Sequence, residues 1–175
     1  MKLLMHIEEQ AKQILRDSGA YRFPVPIERV AEHLGLKIEA SLMDDKMSGI
    51  LVVENRRGAI AYNHSHSYVR QRFTIGHEIG HFILHVKKST QSRLFIDQYV
   101  AYRRNDQSST VNDVEEGQAN AFSAALLMPA DLVTDEILRN DYDLDDEEDQ
   151  KALAKRFNVS APAMSIRLAY LGLLR

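Results

Sequence analysis

Apolar residues at Leu3, Leu4, Ile7, Ala11, Ile14 and Leu15 recur at helical spacing, with polar residues between them. Residues 2–17 therefore read as an amphipathic helix, which Ser18-Gly19 stops. Each proline of Phe23-Pro24-Val25-Pro26 disfavours helix in the residue before it, so that stretch is extended. A short helix follows from Ile27 to Leu34, with Val30, Ala31 and Leu34 inward and Gly35 as its stop. Leu36–Ala40 reads as a strand. Gly49–Val53 and Ala59–Tyr62 flank Asn55-Arg56-Arg57-Gly58 as a hairpin. A long helix is expected from Ser67 to Val86, and a second, dense in alanine, from Val114 to Leu127. Between them, Leu94–Ile96 and Tyr99–Ala101 read as short strand pieces and Asn105–Thr110 as loop. Pro129 opens another helix in its first turn, with Leu132, Val133, Ile137 and Leu138 as its apolar face. Residues 147–157 and 161–171 read as two short helices around Asn158-Val159-Ser160, with Ser160 as an N-cap.

Charge adds a boundary. Residues 141–149 hold seven acids and no base, whereas 151–175 hold Lys151, Lys155, Arg156, Arg167 and Arg175 and no acid. Acids there suit a solvated loop leading into a helix N-terminus. The expected organisation is a main domain over 1–140, then an acidic connector and a helical pair over 141–175. At 175 residues and 45% apolar content the chain can bury a core. A net charge of −3 gives no general attraction to nucleic acid or acidic membranes. The N-terminal apolar run is too short for a signal peptide, and no segment approaches ~20 apolar residues. A cytoplasmic protein without membrane association is expected.

The absence of cysteine excludes disulfides, thiolate zinc sites and thiol nucleophiles. Any metal site must then use His, Asp or Glu. On the long helix, His77 and His81 stand at i and i+4, about 6 Å apart along the axis. Two imidazoles on one face at that spacing can hold a metal ion, and Glu78 beside them can take a proton from water. A catalytic site wants a third protein ligand. His85 lies about 12 Å from His77 along a helix and cannot join the same ion, so it reads as a structural or supporting residue. The remaining candidates are Glu115 and Glu116. Glu116 is favoured because Asn120, four residues on, shares its face and can hydrogen-bond a ligand imidazole. Tyr99, Tyr102, Arg103, Arg104, His64 and His66 are further polar residues near these motifs, read as surface positions in the first instance.

Arg72–His81 followed by Glu116–Pro129 resembles the ImmA/IrrE family of metallopeptidases. The similarity extends to Ser48-Gly49, Asn63, Leu153-Ala154, Phe157–Ser160 and Arg167-Leu168. Gln118 and Ser123 depart from the usual pattern, and no long C-terminal sensor domain is expected. The resemblance implies an α+β fold, a zincin-like metallopeptidase core with a small antiparallel sheet, plus a C-terminal helix-turn-helix-like pair. It implies a zinc-dependent endopeptidase, with manganese as the alternative metal. His77, His81 and Glu116 map onto its metal ligands and Glu78 onto its catalytic glutamate, the base. The implied substrate is a helix-turn-helix repressor, whose cleavage relieves repression.

The C-terminal pair would place Ala161, Pro162, Ala163, Met164 and Ser165 where a recognition helix needs base-reading side chains. Packing on the peptidase or partner docking is favoured over DNA binding. The alternative function is a metal-stabilised module that sequesters a partner, as in a repressor-linked or toxin–antitoxin-type gene pair, with little peptidase activity.

Overall fold

The computed structural model of the chain describes residues 2–54, 57–86, 93–98 and 111–174. Helix α1 (Lys2–Asp17) buries Ile7, Ala11 and Leu15, the i, i+4, i+8 stripe that its periodicity predicts. It ends where Gly19 takes φ +65°, and the Arg29 Nε donates to the Ser18 carbonyl at 2.7 Å. Helix α2 (Ile27–His33) stops at Gly35, φ +72°. Strands β1 (Leu36–Ser41), β2 (Met47–Glu54) and β3 (Arg57–Asn63) follow. Helix α3 (Tyr68–His81), strand β4 (Arg93–Gln98) and helix α4 (Val111–Leu127) form the middle of the chain. Helices α5 (Ala130–Asn140), α6 (Glu147–Phe157) and α7 (Ala161–Tyr170) complete it. No described helix is long and apolar enough to cross a membrane.

The fold is α+β, but the sheet is mixed, not antiparallel as expected. Its order is β1-β3-β2-β4; β2 runs antiparallel to both neighbours, while β1 pairs parallel with β3. The chain reverses twice between β1 and β3, so wherever those two lie side by side they run the same way. Hydrophobic alternation assigns a strand's faces and is silent on its partner's direction. In β2, Leu51 and Val53 point to the core and Val52 and Glu54 to solvent. That alternation breaks at its start, where Ser48 and Gly49 are both buried at a bulge between Met47 and Gly49.

Four further expectations change. The long helix is α-helical only to His81; Phe82–Val86 form a π-helical turn, whose wider circuit keeps Phe82, Ile83 and Val86 in the core. Helix α4 starts at Val111, three residues before the expected Val114. Pro129 is the N-cap of α5 and precedes its first turn. Leu138, expected on the inner face of α5, is 76% exposed, and Glu136 is buried there at 4%. Periodicity could not find Glu136 because its compensation comes from α6, where Arg156 Nε donates to its Oε1 at 2.7 Å. Tyr99–Ala101, Asn105–Thr110 and the turn residues Asn55 and Arg56 lie outside the described residues.

The terminal helices form as expected. The Asp146 side chain accepts from the Glu148 amide and the Ser160 hydroxyl from the Ala163 amide, each satisfying an orphan helical donor. Arg167 of α7 is 1% exposed. It forks onto both carboxylate oxygens of Glu8 in α1 and donates to the Met128 carbonyl at 2.9 Å. Helices α1 and α7 and the link between α4 and α5 thus meet on one guanidinium. Arg167→Met keeps much of the volume and removes the charged bonds. It should cost about 2 kcal/mol, read as a lower urea midpoint with unchanged slope.

Candidate metal centre

The donors come from two helices that approach unusually closely. Gly76 and Gly80 of α3 face α4. A Cβ on Gly80 would lie 3.0 Å from Ala119 Cα and 3.1 Å from its carbonyl oxygen; on Gly76 it would lie 2.6 Å from Ser123 Oγ. Only bare backbone allows this spacing. Ser123, fully buried, uses its hydroxyl to bond the Phe73 carbonyl at 2.9 Å across the same seam. The four-residue glycine spacing was present in the sequence as a signal for close helix contact, and its meaning required knowing the opposite helix.

This seam brings His77 and His81 of α3 against Glu116 of α4. His77 Nε2 is 3.2 Å from one Glu116 oxygen, and His81 Nε2 is 3.1 Å from the other. The two Nε2 atoms are 3.0 Å apart. Among the described residues these three form the group able to hold a metal, their donor atoms all within 4.8 Å of one another. The donor chemistry fits a divalent ion. Bonds of about 2.0–2.2 Å to one ion leave neighbouring donors roughly 3 Å apart. Two imidazole lone pairs this close repel unless a proton or a cation lies between them.

Asn120, one turn beyond Glu116, sits 3.0 Å from His77 Nδ1 through its Oδ1. With Nδ1–H donating there, the His77 lone pair is on Nε2 and faces the other donors. Asn120→Ala should weaken metal affinity by about 10–100-fold while leaving the fold intact, measured by competition with a chromophoric chelator.

Burial alone would raise the Glu116 pKa. Hydrogen bonds and attraction from His77 and His81 outweigh it and hold the carboxyl well below the usual carboxylate range. Glu116 is therefore an anion facing two imidazoles. Glu115, the other candidate, turns elsewhere: its carboxylate is 4.0 Å from His85 Nδ1, and its carbonyl is 3.3 Å from His85 Nε2. The π-helical turn thus sets His85 against Glu115 of α4, its ring 5.5 Å from that of His81 but outside the donor group. Glu78 is 0% exposed and lies on the side of α3 that meets β2. His64 and His66 lie in the β3–α3 connection, where His66 Nε2 is 3.2 Å from the Asp45 carbonyl oxygen. Tyr99, Tyr102, Arg103 and Arg104 lie outside the described residues.

Sequence reasoning named His77, His81, Glu116 and Asn120, which the structure brings together, but gave no role to Ser48, Gly49, Arg70 or Thr74, where α3 meets β2. Comparison with known families matches residues 31–169 to the Peptidase_M78 model, described as an IrrE N-terminal-like domain. No curated protein matches the chain.

Proposed function

The chain belongs to the IrrE N-terminal-like Peptidase_M78 family, which supports a metallopeptidase-type function; from that premise we propose a metal-dependent endopeptidase that hydrolyses a peptide bond in a partner protein. The observation that carries this is the convergence of His77, His81 and Glu116, with donor separations of 3.0–3.2 Å, beside a fully buried Glu78. His77, His81 and Glu116 would hold the ion, and zinc would suit two imidazoles and a carboxylate, with manganese as the alternative. A bound ion would supply Lewis acidity, lowering the pKa of water and polarising a carbonyl. Glu78 takes a proton from the attacking water as its oxygen bonds the carbonyl carbon. As the C–N bond breaks, Glu78 passes that proton to the leaving nitrogen. The core is read as zincin-like, with α3 packed on the sheet.

The proposed substrate is a helix-turn-helix repressor, carried over from the family resemblance, in a cytoplasmic setting. We read residues 141–175 as packed on the 1–140 domain, not as a DNA reader. Support comes from how their positive charges are used. Arg167 is committed to Glu8, Arg156 to Glu136, and Lys151 to Glu148 at 2.7 Å.

The test is incubation with the product of the neighbouring repressor-type gene, with and without added Zn²⁺ or Mn²⁺. Two fragments whose masses sum to the intact partner plus one water support the proposal. Tight binding with no cleavage in either metal supports the sequestering module instead.

A further inference from the structure

Arg70, Thr74 and Glu78 stand at i, i+4 and i+8, one face of α3. All three meet the same two residues of β2. Arg70 Nη2 donates to the Ser48 hydroxyl at 2.9 Å, and Ser48 is buried. A Cβ on Gly49 would lie 2.4 Å from Thr74 Cγ2, 3.0 Å from Glu78 Oε1 and 3.4 Å from the Ala61 carbonyl oxygen. Strand β2 cannot retreat, because Gly49 is paired on both sides, with Tyr62 of β3 and Asp97 of β4. Glycine in an interior strand is unfavourable by itself and marks a close approach by another group. The bulge just before it turns both Ser48 and Gly49 toward α3.

We propose that Gly49 is a positioning residue for Glu78: its bare backbone is the wall against which the carboxylate is seated, with Arg70–Ser48 anchoring the strand two turns back along α3. The His-bearing face of α3 is set by α4, whereas the Glu78 face is set by β2. Metal holding and proton transfer are therefore positioned by separate contacts. The inference rests on the reading of Glu78 as the proton carrier.

The test uses the full chain with glutamate labelled with ¹³C at the carboxyl carbon. The Glu78 resonance is the one missing in Glu78→Gln. In Gly49→Ala it should move by more than a linewidth, while Co²⁺ still titrates to the wild-type equivalence point. Thr74→Ser removes the atom that clashes most, so Gly49→Ala/Thr74→Ser should regain thermal stability yet keep the displaced resonance. In the zinc-loaded protein, Gly49→Ala should weaken acetohydroxamate binding about tenfold. Adding Glu78→Gln to it should weaken binding no further, the non-additivity expected of a shared route. An unmoved Glu78 resonance in Gly49→Ala overturns the proposal. So does its return to the wild-type position with Thr74→Ser, which would reduce Gly49 to packing against Thr74. If the wild type binds no Co²⁺, the metallopeptidase reading fails while the resonance still decides the role of Gly49.

Discussion

Glu78→Gln is expected to leave the protein folded and metal-loaded and to reduce cleavage by about 10²–10⁴-fold, the usual contribution of a general acid–base group. The amide has nearly the shape of the carboxylate, so its seat beside Gly49 persists. It cannot accept the proton from water. Glu78 is outside the three-residue donor group, so metal content should not change. Elemental analysis and fragment masses give the two readouts on one sample. Wild-type cleavage by this variant would remove Glu78 from the mechanism; loss of metal would place it among the ligands.

Glu116→Gln should lose metal, and with it cleavage. Glu116 is 46% exposed on its side chain, so solvent could screen a lone surface carboxylate there. The two imidazoles change that, holding its pKa down against the effect of burial and keeping the charge in place. Removing the charge from the donor set should exceed the roughly 10–100-fold affinity loss typical of a residue that only supports a ligand. Glu115→Gln is the internal comparison. Its carboxylate faces His85 at 4.0 Å, so metal affinity should stay near wild type. Chelator competition on both variants decides between them. A large loss in Glu115→Gln with none in Glu116→Gln would reverse the ligand assignment.

Several element boundaries were legible because they depend on local signals. Helix α1 follows its apolar stripe, Gly35 ends α2, and Ser160 caps α7. The candidate histidines were legible for a related reason: an i, i+4 pair is a property of one helix. Glu116 was reachable because Asn120 shares its face, and the 3.0 Å contact to His77 realises that pairing. The π-helical turn was not legible. Phe82–Val86 has an apolar content that suits either helix type, and which turn forms depends on the surrounding core. Buried Glu136 was hidden for the same reason, since Arg156 is twenty residues away in sequence.

By itself, the sequence determined where the helices and most strands lie, that any metal must be held by nitrogen and oxygen donors, and which helix carries the histidines. These are short-range properties of spacing and residue chemistry. Only the tertiary structure decided that β1 runs parallel to β3, that His85 goes to Glu115, and that Gly49 lies against Glu78. It also decided that Arg167 is spent on Glu8, 159 residues earlier. Such contacts are selected by the packing of whole elements against one another, and local periodicity does not encode which elements will meet.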